Sequence, residues 1–249
     1  MGSITIPKAL YPINGKSNLQ SNLEKLDGII PQENVIVVAN NTTKPDFEKF
    51  KENNNLAFRI IAIDSGKGDG HAVLESLEQL RCDMGRGERE VIIMWGDAHL
   101  ESSEIVEELK NAEMGSGYPM IFPVSIEPSP YVHIEPECGT LDVVTKTPVA
   151  AAYAQFSKHG DDIPETGYHD QSIFKVRYGT FINALREMNS FYLKGNKYIT
   201  PSKELNLLHI VHCLFNSEHH LPALMYLTNH EMHSFNSVLE AEEIEKKLN

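Results

Sequence analysis

Val91-Ile92-Ile93-Met94-Trp95-Gly96-Asp97 is an unbroken apolar run that ends in a glycine and a carboxylate. A short β-branched run of this kind reads as a strand buried on both faces. Working outward, Phe58-Arg59-Ile60-Ile61-Ala62-Ile63 and Val35-Ile36-Val37-Val38-Ala39 have the same character. Leu19 to Leu26 before them, and Pro45 to Asn53 and Gly70 to Arg81 between them, have helical spacing, with Val73, Leu74, Leu77 and Leu80 recurring on one face of the last. The βαβαβ alternation predicts an α/β fold, a Rossmann-like three-layer α/β/α arrangement around a mostly parallel sheet. Ligands in such folds bind beyond the carboxyl ends of the strands. After Asp97 the pattern loosens into a helix near Ser102 to Ala112 and strands near Met120 to Val124, Tyr131 to Glu135, Leu141 to Thr145 and Ser172 to Val176, followed by helices.

The 249 residues, 41% hydrophobic and 23% charged, suffice for a sizeable core, and no stretch approaches the roughly 18 apolar residues of a membrane span. The first residues show no basic region followed by an apolar core, so a cytoplasmic location is expected. Cys82, Cys138 and Cys213 form no Cys-x-x-Cys pair, which argues against a disulfide framework or a zinc knuckle. With 22 basic and 35 acidic residues the formal charge is −13, and no basic stripe offsets it, so neither nucleic acid nor a membrane is an expected partner. A small phosphate ligand remains compatible, because local lysines, backbone N–H groups and a divalent cation outweigh a screened global field.

Three loops carry the chemistry. Pro7-Lys8-Ala9-Leu10-Tyr11-Pro12-Ile13-Asn14-Gly15-Lys16 presents Lys8 from a segment stiffened by two prolines; taken alone, Lys8 reads first as a solvated surface lysine. Gly66-Lys67-Gly68-Asp69-Gly70-His71 follows a strand and opens a helix, where glycines permit close approach and N–H groups favour an anion. It fits neither Gly-x-x-x-x-Gly-Lys-Ser/Thr nor Gly-x-Gly-x-x-Gly, and a plain strand-to-helix turn is the alternative. Trp95-Gly96-Asp97 delivers a carboxylate to a strand end, suited to Mg2+ or, alternatively, to capping a helix.

Taken together these loops resemble the nucleotidyltransferases that join a nucleoside triphosphate to a sugar 1-phosphate. That family shares a Gly-x-Gly-Ser/Thr-Arg loop leading to Pro-Lys, then a Gly-Thr-Gly-His-Ala-like loop, then an apolar strand ending in Gly-Asp. Pro7-Lys8, Gly68-Asp69-Gly70-His71-Ala72 and Gly96-Asp97 match in order. Pro130-Tyr131-Val132-His133-Ile134 is similar to the sugar-side strand, and Gly167-Tyr168-His169-Asp170-Gln171-Ser172-Ile173-Phe174 to the sugar-contact segment. Phe235-Asn236-Ser237 resembles the element that supplies a second metal ligand. The pattern is most like the uridylyltransferases acting on N-acetylglucosamine 1-phosphate.

The resemblance implies one nucleotidyltransferase domain over 1–249, with a nucleotide-binding half at 1–115 and a sugar-phosphate half at 116–249. Its substrates would be a nucleoside triphosphate, UTP favoured, and a sugar 1-phosphate. Lys8 would be catalytic, Gly68, Asp69, Gly70 and His71 would line the nucleotide, Lys146 and Asp170 would face the sugar phosphate, and Asp97 and Asn236 would hold Mg2+. Three departures stand out. Met1 falls just after the family's loop arginine, so the family's first strand and glycine-rich loop have no counterpart. The runs at Val35 to Ala39 and Val91 to Trp95 are then expected to lack their shared neighbour, with about 15 to 20 upstream residues restoring it. Asp69 replaces the family's frequent Thr, and Thr145 a frequent sugar-contacting Glu. Two other readings are a catalytically weak nucleotide-binding relative and a cytidylyltransferase for an alcohol phosphate. His209 with His212, and His230 with His233, could pair across a helix on a transition metal, but helical or cap positions account for them.

Overall fold

The computed structural model describes residues 6–64, 66–81, 89–114, 119–128, 132–136, 151–156, 165–200, 202–210, 223–226 and 232–248. In chain order they form β1 (Pro12–Ile13), β2 (Lys16–Ser17), α1 (Asn18–Leu26), β3 (Ile36–Asn40), α2 (Lys44–Asn53), β4 (Arg59–Ile63), α3 (Asp69–Gln79), β5 (Glu90–Met94), β6 (Ala98–Leu100) and α4 (Glu104–Asn111). There follow β7 (Met120–Pro128), β8 (Val132–Pro136), β9 (Ala151–Phe156), β10 (Thr166–Asp170), β11 (Ile173–Arg177), α5 (Tyr178–Tyr192), β12 (Leu193–Lys194), β13 (Lys197–Tyr198), β14 (Ala223–Tyr226), β15 (Met232–Ser234) and α6 (Val238–Leu248). Among the described residues no helix is long and apolar enough to cross a membrane. The chain divides into two compact units, one comprising the described parts of Met1–Asp64, Met94–Asn111 and His230–Asn249, the other those of Ser65–Ile93 and Ala112–Asn229.

In the first unit β3 and β4 pair in parallel, Ile36 opposite Arg59 through Asn40 opposite Ile63, with α2 against them. Proline in the first turn of α2 has its ring where no helical N–H is needed. The Ser17 hydroxyl caps α1 by accepting from Gln20 N–H at 3.2 Å. The β6 strand pairs antiparallel with β15, from Ala98 opposite Ser234 to Leu100 opposite Met232. Ile13, Phe235, Ala241 and Ile244 are buried together, with Tyr11 and Leu248 packed at their edge, so α6 docks on the segment that follows Lys8.

The second unit is built on a seven-stranded sheet in the order β5-β11-β7-β10-β8-β9, with β14 also on β7. This corrects the expected mostly parallel sheet. The β14–β7 pair is parallel, but β7 runs antiparallel to β10 and β11, and β8 runs antiparallel to β9 and β10. β3 and β5 lie in different sheets, in line with the expectation that they lack a shared neighbour. An apolar run reports burial, and strand direction is set by the connections, so a fully covered antiparallel strand looks parallel in sequence. Residues 120–125 of β7 are all buried, which is why that run lacks polar alternation. Phe122 and Phe174 meet edge to face at 5.3 Å. On α5, Phe181, Ile182, Leu185 and Met188 form the buried stripe, and the Tyr178 hydroxyl donates to Leu77 O of α3 at 3.1 Å. The register of β10 against β7 slips by two residues before β11 resumes it, so Gln171 and Ser172 form a bulge, with Ser172 at φ +57°.

Candidate active site

Three side chains far apart in sequence converge in the first unit. The Lys8 ammonium donates to Asp97 Oδ2 at 2.8 Å and to Asn236 Oδ1 at 2.6 Å. Each arrives by a local device. Pro7 enters a single 3-10 turn in which Leu10 N–H bonds Pro7 O at 2.8 Å, and that turn presents Lys8. Asp97 lies in the tight turn between β5 and β6, closed by Ala98 N–H on Trp95 O at 3.1 Å, rather than at the start of a helix. Asn236 follows β15, and Phe235 N–H reaches Asp97 O at 3.3 Å, which continues the β6–β15 ladder up to the two side chains. The Lys8–Asp97 pair is partly exposed, 37% and 23% by side chain, so it contributes little to stability and leaves the group reachable.

Residues the sequence reading passed over hold this cluster. Asn18 and Asn22 on α1 are buried. Asn18 Nδ2 donates to Gly96 O at 3.2 Å and Ala98 O at 2.8 Å, and Asn22 donates to Ala98 O at 2.8 Å while accepting from Leu100 N–H at 3.0 Å. The sequence signal was two asparagines four apart on the apolar stripe of a helix. Behind them His99 is neutral: burial first, then the Lys25 ammonium, push it down to about 4. Glu240 accepts from Asn236 N–H, and Ser237 Oγ accepts from Glu240 N–H at 3.3 Å. Ser237 thus caps α6, while Glu240 reaches back one residue beyond the cap to hold the Asn236 backbone. His233 lies on β15, not on a helix, and its ring bonds the Glu101 carboxylate.

In the second unit Gly68, Asp69, Gly70 and His71 open α3 as expected. There the chain itself fills the close approach. A Cβ on Gly68 would fall 2.3 Å from Leu205 O, and one on Gly70 2.9 Å from Leu207 N. Gly70 N–H donates to Leu205 O at 2.9 Å, and Leu205 N–H to Lys67 O at 2.8 Å. Asp69 Oδ1 accepts from Leu207 N–H at 2.9 Å and Gly70 N–H at 2.7 Å. His71 reaches Glu75 through Nε2 at 3.0 Å and the Tyr198 hydroxyl through Nδ1 at 2.8 Å.

Asp170 is buried beside the β10–β11 bulge, accepts from Ser172 N–H at 3.1 Å, and is pushed above the ordinary carboxylate range by burial. Lys146 and Thr145 lie outside the described residues, as do the three cysteines, His212 and His230.

Burial pushes Asp69 up to about 6, with the two N–H donors opposing and Asp170 adding to the rise. The fold therefore favours protonated Asp69, and that contribution, complete below about pH 4, is lost as pH rises through about 6. Relative to Asp69→Asn, wild-type stability should fall by up to about 3 kcal/mol between pH 4 and pH 8. Urea midpoints of the two proteins at each pH measure this, and a difference that does not vary with pH would refute it.

No family model matches the chain. Over 124 residues, 50% of this chain, it is 25% identical to the bifunctional protein GlmU of Paramagnetospirillum magneticum; the match covers 25% of that protein, so the chain spans about a quarter of the curated relative's length. Among solved structures, the nucleoside-diphosphate-sugar pyrophosphorylase from Vibrio cholerae superposes with a TM-score of 0.67 at 11% identity, covering 98% of this chain and 93% of that one. The inositol-1-phosphate CTP transferase from T. maritima gives 0.64 at 12% identity, over 98% and 87% of the two chains. The CTP:phosphocholine cytidylyltransferase from Streptococcus pneumoniae gives 0.60 at 13%, over 98% and 91%. At these identities the likeness is one of fold. The chain has the nucleotidyltransferase fold, similar to that of the sugar-1-phosphate nucleotidyltransferases, and over half of its length it is distantly similar to GlmU.

Proposed function

We propose that this chain transfers a nucleoside monophosphate from a nucleoside triphosphate, UTP favoured, to a sugar 1-phosphate. The observation that carries the reading is the convergence of Lys8, Asp97 and Asn236. An oxygen of the acceptor phosphate attacks the α-phosphorus, the bond to the bridging oxygen of the β-phosphate breaks, and pyrophosphate leaves with that electron pair. The acceptor is already ionised, so no general base is needed, and the protein's work is to align two anions and neutralise charge. Lys8 supplies a positive charge to the phosphates.

Asp97 Oδ2 and Asn236 Oδ1 are hard oxygens that already converge on one cationic atom, so the pair suits Mg2+. Bound there, Mg2+ would offset phosphate charge. Gly68, Asp69, Gly70 and His71 are assigned to the nucleotide, and Asp170 and Lys146 to the acceptor phosphate, on the resemblance. The second reading, a cytidylyltransferase for an alcohol phosphate, draws support from the likeness to the inositol-1-phosphate and phosphocholine enzymes.

The test is Mg2+-dependent pyrophosphate release over a panel of triphosphates, with sugar 1-phosphates and alcohol phosphates as acceptors. Release with UTP and a sugar 1-phosphate supports the first reading, release with CTP and an alcohol phosphate the second, and none with any pair defeats both. Asp97→Asn keeps the shape but removes the ligating charge. It should raise the Mg2+ needed for half-maximal rate by tenfold or more, roughly the scale on which metal sites respond to altered ligation; an unchanged Mg2+ titration would remove Asp97 from the cation site.

A further inference from the structure

Asp97 follows Gly96, a residue whose missing side chain leaves the peptide plane before Asp97 free to turn. Two contacts take that freedom away. Asn18 Nδ2 holds Gly96 O at 3.2 Å, and Phe235 N–H holds Asp97 O at 3.3 Å. The peptide planes on both sides of the Asp97 Cα are thereby fixed, and with them the direction of its Cα–Cβ bond. The second Asn18 N–H, on Ala98 O at 2.8 Å, ties the clamp to the start of β6. The carboxamide is itself oriented. Its Oδ1 faces His99 Nδ1 at 2.9 Å, while His99 Nε2 faces the Lys25 ammonium at 3.5 Å. An ammonium can only donate, so Nε2 carries the lone pair and Nδ1 the proton. Asn18 Oδ1 must then accept, and both of its N–H groups point at the backbone.

We infer that Asn18 is a positioning residue for Asp97: its buried carboxamide, oriented by His99, clamps the backbone on either side of Asp97 and directs the carboxylate toward Asn236 and Lys8. The inference rests on reading Asp97 as a cation ligand. A group that orients a metal ligand typically controls affinity by about 10–100-fold, whereas a group that only holds the fold together changes melting and leaves the folded protein's affinity alone.

The experiment is Mn2+ binding to the whole chain, without nucleotide, followed by electron paramagnetic resonance well below the melting temperature of each variant. Leu23→Ala removes a fully buried side chain from the same helix and serves as the stability control. Asn18→Ala should weaken Mn2+ binding roughly 10- to 100-fold. Leu23→Ala should bind as wild type, and Asp97→Ala should abolish binding. Asn18→Ser, which has one donor and can serve one carbonyl, should give an intermediate loss and answers the question if the alanine variant does not fold. Wild-type affinity in both Asn18 variants beside loss in Asp97→Ala would overturn the positioning role and leave the proposed cation site standing, as would equal weakening in Asn18 and Leu23 variants. Unchanged binding in Asp97→Ala would overturn the cation site and the positioning role together.

Discussion

Lys8→Ala is expected to lower turnover by roughly one to three orders of magnitude, the scale of losing one preorganised charge-stabilising donor, without a matching loss of stability. The two halves of that expectation have separate causes. Lys8 sits 37% exposed by side chain and pairs with a carboxylate that is itself partly open, so its ion pair contributes about 0–1 kcal/mol to folding. In the proposed reaction the same ammonium would meet the developing charge on the phosphates, where alignment and a lower local dielectric would enlarge its effect. Pyrophosphate release at saturating substrates, with thermal melting of both proteins alongside, measures the two halves. Wild-type turnover in the variant would take Lys8 out of the chemistry, and a large drop in melting temperature would make it a structural residue.

Gly68→Ala should destabilise the protein by several kcal/mol. Gly68 adopts φ +94° and ψ 166°, a region that is essentially glycine-only and costs about 1–3 kcal/mol for other residues. An added Cβ would also meet the Leu205 carbonyl at 2.3 Å, and that oxygen is held in place by Gly70 N–H. Backbone cannot rotate aside as a flexible side chain does, so overpacking adds about another 1–3 kcal/mol. The urea midpoint of the variant is the measurement, and an unchanged midpoint would mean that the 205–207 segment does not lie against this loop. The prediction gives the glycines a cause within the protein, distinct from close approach to a nucleotide.

The contrast between Lys8 and Gly68 shows what kind of information each motif held. Strands β3, β4 and β5 and helices α1 to α3 were legible because burial and helical period are local patterns, each written within about ten residues. Lys8, Asp97 and Asn236 were legible as an ordered set of motifs, and the structure brings those three together. By contrast, Asn18 belongs to none of these motifs. Its significance depends on Gly96 and Ala98, which lie 78 and 80 residues further on.

By itself, then, the sequence determined the alternation of strands and helices, the turns that present Lys8 and Asp97, and the residue types able to neutralise phosphate. Only the tertiary structure decided that the β7 sheet is mostly antiparallel and that Leu205 to Leu207 close over the glycine loop. The reason is physical. Local torsional preference and the spacing of apolar residues act over one or two turns, whereas strand direction and the pairing of buried amides are settled by hydrogen-bond partners that the chain meets only after it has folded back on itself.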